Sequence, residues 1–210
     1  MNTVTTKNPL VWIDCEMTGL DTNIDELVEV AVIVTDGDLN IIDEGFNIVI
    51  KPSQLAFNNM NDFVTNMHTT SGLIDELPNG VDIKVAQEMV LDYIKRFVPD
   101  AKKALLAGNS IATDKMFLEK QMPDVVEHLH YRIVDVSTIK ELSKRWFPRV
   151  FYNKPDKNGG HRALADIRES IIELCYYKEV LFPEGEGPST AKCLEVKAKF
   201  SPKTDSETLK

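Results

Sequence analysis

The run "VWIDCEM" at residues 11–17 constrains the fold more than any other stretch. Val11, Trp12 and Ile13 are strong strand formers, yet the run continues into Asp14 and Glu16. Side chains alternate across a strand, so the two carboxylates share a face, roughly 7 Å apart. At an effective dielectric of about 20 their repulsion is on the order of 2 kcal/mol. Either the strand ends here with both acids in solvent, the ordinary outcome for a D-x-E pair, or a cation occupies that face.

Two further strand patterns follow, at 27–35 ("LVEVAVIVT") and 41–50 ("IIDEGFNIVI"), with turn chemistry at Asp36-Gly37 between them. Together the three runs predict an antiparallel start. Residues 53–67 read as a weakly patterned helix, after which "SGL" and "PNG" punctuate the chain. Ile83, Val90, Ile94 and Val98 set a helical stripe over 81–98. Then come a strand "ALLAGN", a helix over about 110–121, a strand "RIVDV" and a helix over about 137–146. A last helix covers about 162–179. Strands first and then alternation with helices predict an α/β chain, a mixed sheet flanked by helices. From Pro183 onward Pro, Gly, Ser and Lys predominate. The expectation is one domain over 1–182 and a flexible C-terminal tail over 183–210.

The net charge of −9 narrows the function classes. A protein that tracks a long nucleic acid carries a basic stripe, because phosphate neutralisation supplies most non-specific affinity. None is visible. Nor does the tail hide one: Glu184, Glu186, Glu195, Asp205 and Glu207 balance Lys192, Lys197, Lys199, Lys203 and Lys210. Cys15, Cys175 and Cys193 are odd in number and lack CxxC spacing, which speaks against a disulfide framework or a zinc site. No basic segment leads into an apolar stretch, and the apolar runs are too short to span a bilayer. The expected setting is the cytoplasm, without membrane association.

Two more acids join the first pair. Asp114, in "GNSIATDKMFLEK", shares a helix face with Ile111, Phe117 and Leu118, the apolar side. Taken alone it is also an acid near a helix N-terminus, favoured by the macrodipole. Asp166, in "GGHRALADIRESIIEL", falls within the inward stripe of Ala163, Ile167, Ser170, Ile171 and Leu174. A structural salt bridge to an arginine is the alternative there. His161 precedes Asp166 by five residues, about 140° away on one ideal helix. After Gly159-Gly160 it is better placed ahead of the first turn, where it reaches the same cleft.

Ionised groups are rarely buried without a partner, so four inward carboxylates call for cations. Oxygen ligands favour Mg2+ or Mn2+ over zinc. Two such ions about 4 Å apart clamp the attacking and leaving oxygens of a phosphoryl displacement. A histidine with a reference pKa near 6.5 is suited to deprotonate the attacking water.

"DCE" at 14–16, "GNSIATD" ending at Asp114 and "HRALAD" from His161 to Asp166 resemble the motifs of the DEDDh 3′–5′ exonucleases, which have the ribonuclease-H-like fold. The spacing H-x-A-x-x-D matches the histidine branch of that superfamily. "WIDCEMTGLD", "MHTTSGL", "GNSIATDKMFL", "HYRIVDVSTIKEL" and "ADIRESIIEL" are similar to the oligoribonuclease family over roughly residues 8–182. The resemblance implies two divalent metals held by Asp14, Glu16, Asp114 and Asp166, with His161 as general base. It further implies that Leu20 wedges between two bases and that Phe63 and His68 lie near the substrate. This chain has Phe63 where that family is expected to have tryptophan. Ser110, Arg132, Ser137 and Thr138 would cap a 5′-phosphate, the last three reaching across a homodimer interface. Tyr131 would assist catalysis or stack from the partner subunit. Without the resemblance, Thr138 and Glu141 also fit a helix capping box, and Arg132 a surface ion pair.

The expectation is therefore a metal-dependent 3′–5′ exoribonuclease on very short RNA, dinucleotides preferred, forming no stable complex with long nucleic acid. A general DEDDh exonuclease acting on longer RNA or DNA ends would need the basic track that −9 argues against. A nucleotide-binding or scaffold protein that has lost chemistry would lack one of the acids, and all four are present with the histidine.

Overall fold

The structure, a computed structural model, describes residues 6–157 and 160–201. Its sheet has five strands among those residues: β1 (Leu10–Met17), β2 (Leu27–Thr35), β3 (Phe46–Val49), β4 (Leu105–Gly108) and β5 (His130–Asp135), in the order β3-β2-β1-β4-β5. β1 pairs antiparallel with β2, and β2 with β3; β4 runs parallel to β1 and β5 parallel to β4. The mixed sheet inferred from strand order is present.

The helices are α1 (Gln54–Asn59), α2 (Asp62–Thr70), α3 (Leu73–Glu76), α4 (Ile83–Phe97), α5 (Ala112–Gln121), α6 (Pro123–His128), α7 (Val136–Trp146), α8 (Pro148–Tyr152), α9 (Ala163–Leu181) and α10 (Thr190–Phe200). β1 sends Val11, Ile13, Cys15 and Met17 into a core shared with α4, α5 and α6. Trp12 faces the other way, against Ile167 and Ile171 of α9. All nine residues of β2 are buried, as a strand covered on both faces requires.

Some expectations shift. The run 41–50 is a strand only from Phe46 to Val49; Asp43-Glu44-Gly45 interrupts it, and Gly45 sits at φ +96°. The stretch 53–67 divides into α1 and α2 because Ser53 and Asn61 each cap a helix, accepting hydrogen bonds from Ala56 N–H and Val64 N–H. α6 and α8 add to the helices expected from the periodicity, and each begins with proline in its first turn, a helix-start signal. The expected tail contains α10, every residue of it exposed. The remainder of that stretch, 202–210, lies outside the described residues. No described helix is long and apolar enough to cross a membrane.

Candidate active site

Asp14 and Glu16 project from β1 on the Trp12 side, toward the N-terminal end of α9. Asp166 stands in the first turn of α9 and Asp114 in the first turn of α5. Asp114 is tied to the strand it faces: its Oδ1 accepts the Cys15 N–H at 2.9 Å. His161 lies ahead of α9, outside the helix, at φ +47°. Ligand atoms of Glu16, His161 and Asp166 lie within 4.8 Å of one another. All four acids and His161 line one cleft of about 640 Å³. Leu20, Phe63 and Ser110 line it too, and Leu20 and Phe63 are each 75% exposed.

The electrostatics show what the cluster lacks. Burial, then Asp114, Glu16 and Asp166, push Asp14 well above the ordinary carboxylate range. Burial, then Asp166 and Glu29, raise Glu16 to about 8. Burial takes Asp114 to about 7, against the hydrogen bond from Cys15. Asp166 is raised as well, chiefly by burial. Four carboxyl groups that resist ionisation in one cleft are a site short of positive charge. An all-oxygen donor set with one histidine at its edge fits hard divalent cations.

The family model described as Exonuclease matches residues 11–174. "Oligoribonuclease" of Leifsonia xyli subsp. xyli is 61% identical over 89% of this chain and 90% of its own length. The protein of that name from Cutibacterium acnes is 58% identical over 91% and 95%. This chain belongs to the oligoribonuclease family. It is a hydrolase, a 3′–5′ exoribonuclease. The zinc-bound E. coli ExoI–ssDNA complex superposes with a TM-score of 0.64 at 13% identity, over 84% of this chain and 41% of that one. Similarity that low shows the fold alone.

Around the acids the exoribonuclease carries supports that its motifs do not reveal. Glu29 of β2 sits directly across from Glu16 in the ladder, a repulsive pairing if both are ionised. Arg162 answers it, with Nη2 3.0 Å from Glu29 Oε1, while Nη1 reaches Glu76 Oε1 at 2.8 Å. Glu29 Oε2 also accepts the Ala163 N–H at 3.2 Å, which caps α9 from another strand, since Arg162 at the N-cap makes no side-chain cap. One glutamate thereby holds the chain between His161 and Asp166. An acid inside the otherwise apolar run "LVEVAVIVT" was the available signal.

His68, expected near the substrate, is fully buried behind Glu16, one residue back from the cleft lining. Its Nε2 lies 2.9 Å from the Met17 carbonyl. A carbonyl only accepts, so Nε2 carries the hydrogen. Burial lowers the ring's pKa, and Nδ1 stands 3.9 Å from Glu16 Oε2; the ring orients the strand end. Asp25 does the same for the loop that presents Leu20. Its carboxylate accepts from Thr18 Oγ1 and from Asp21 N–H, both at 2.9 Å. A Cβ at Gly19 would collide with that fixed carboxylate.

The expected phosphate cap divides. Asp135 Oδ1 accepts the N–H groups of Ser110 and Ser137, both at 2.9 Å, and brings their hydroxyls to 3.1 Å. Ser137 thereby neighbours Ser110 within one chain but does not itself line the cleft. Arg132 and Thr138 are exposed and do not line the cleft. Arg132 instead hydrogen-bonds the Tyr131 hydroxyl, Nε to Oη 3.1 Å, and Tyr131 is 74% exposed.

Proposed function

We propose that this cleft hydrolyses very short RNA, dinucleotides above all, to mononucleotides, with two Mg2+ or Mn2+ ions held by Asp14, Glu16, Asp114 and Asp166. The observation that carries the reading is the convergence in one small cleft of His161 and four carboxyl groups with raised pKa values, Glu16 and Asp114 buried, Asp14 and Asp166 half-buried. Bound divalent ions supply charge for the attacking and leaving oxygens of the phosphodiester. His161 takes the proton of the attacking water on a ring nitrogen, and its position ahead of α9 leaves it exposed to do so. Leu20 separates the bases and Phe63 offers a face for stacking. Ser110 meets the 5′-phosphate, joined by Arg132, Ser137 and Thr138 of a second subunit, with Tyr131 at the same interface.

A cleft of about 640 Å³ supports a small ligand over a long strand. So does the net charge of −9, which gives each further phosphate little attraction. A cytoplasmic homodimer fits this reading. The test is a time course with 5′-phosphorylated, labelled RNAs of two to twenty nucleotides and Mg2+. Dinucleotides should disappear fastest, and affinity should fall between two and seven nucleotides. Equal or tighter binding of the seven-nucleotide RNA at moderate salt would replace this reading with a general exonuclease.

A further inference from the structure

A polyanion must enter a cleft whose chemistry is acidic. Among the described residues lining that cleft, Lys157 is the one lysine or arginine. Its field reaches Asp14 and Asp166 and opposes the rise in their pKa values. Its ammonium lies 3.4 Å from Glu173 Oε2, longer than an N–H···O hydrogen bond.

Glu173 has other partners. Buried on α9, it holds Lys140 Nζ at 3.0 Å and accepts from Asn109 Nδ2 at 3.2 Å and the Tyr177 hydroxyl at 3.3 Å. Lys140 and Lys157 thus bring two ammonium groups to one carboxylate at this wall. Glu173 follows Asp166 by seven residues, about two turns, so the anchor and the acid share a face of α9. Asn109 links the wall to the serines, because its Oδ1 accepts the Ser137 hydroxyl at 3.1 Å.

We propose that Lys157, backed by Glu173, is a substrate-binding residue whose ammonium contacts a phosphate oxygen of the bound nucleotide. An ammonium has three donors, and a loose ion pair to an already satisfied carboxylate leaves them for the ligand. Cations held by the acids remove any need for Lys157 as their counterion. The proposal rests on the short-RNA reading of the cleft.

The experiment compares wild type with Lys157→Gln and Lys157→Arg at saturating Mg2+. It measures inhibition of dinucleotide hydrolysis by a nucleoside 5′-monophosphate and by the same nucleoside without phosphate. Lys157→Gln should weaken the monophosphate about tenfold, the scale of one charge-assisted hydrogen bond, and leave the nucleoside unchanged. The salt slope for the monophosphate should become shallower, and Lys157→Arg should recover most of the loss. An unchanged ratio of monophosphate to nucleoside inhibition in Lys157→Gln would overturn the proposal. Tighter Mg2+ binding with unchanged inhibition would also overturn it, marking a counterion of the acids. Lost thermal stability alone would do the same, marking a tether of the chain before His161. If wild type leaves the dinucleotide intact, the short-RNA reading fails instead. Calorimetry of monophosphate binding to the Mg2+-loaded variants then still judges Lys157.

Discussion

Strands β1 and β5 both carry residues assigned to the reaction, but they hold them differently. β1 lies inside the sheet, paired on both sides, and its acids meet α5 and α9 across the cleft. Asp114 is fixed to the Cys15 backbone, and Glu29 ties the start of α9 to the strand beside Glu16. β5 is an edge strand, and its Tyr131 and Arg132 contact each other and His130 of the same strand. The acidic floor is complete within one chain. The exposed pair on the edge would meet a second copy in the proposed homodimer.

The largest effect should come from the floor. Asp14→Asn preserves shape and removes one charged ligand, so hydrolysis should fall by orders of magnitude while the circular dichroism spectrum stays native. Near-wild-type turnover by this variant, or by wild type in excess chelator, would end the two-metal reading.

The edge should matter less and differently. Arg132→Ala should keep turnover of the bound substrate but lose about tenfold in preference for 5′-phosphorylated dinucleotides over longer RNA. Sedimentation of wild type should show a dimer. A fully active monomer would break the contrast between the two strands.

The smallest effect is on stability and appears without metal. Glu16 and Asp114 have folded-state values of about 8 and about 7, above the unfolded carboxylate range. The folded state thus binds more protons, so their contribution is full below the unfolded values and is lost as pH rises through 7 and 8. Chelated protein should melt lower at pH 9 than at pH 6, by on the order of 10 °C for a few kcal/mol. Mg2+ should raise the midpoint more at pH 9 than at pH 6. A chelated midpoint independent of pH would show that the acids ionise freely in the fold.

The cluster itself was legible because its signals are local. Alternation on β1 puts Asp14 and Glu16 on one face, and helical periodicity turns Asp114 and Asp166 inward; each follows from a few neighbouring residues. Strand order and the alternation of helix with strand are equally local, and the mixed sheet followed from them. Tertiary structure alone decided the pairings between distant segments. Glu29 meets Arg162 across 133 positions, and Asn109 meets Glu173 across 64. No periodic pattern encodes such a meeting, since it depends on strand register and on where α9 crosses the sheet. His68 shows the same limit: its motif points to the cleft, and only packing decides that its ring sits behind Glu16. Sequence determined which chemistry the cleft can hold, because that depends on residue type and local direction; the fold decided which side chains orient it, because that depends on contacts made only when distant segments pack.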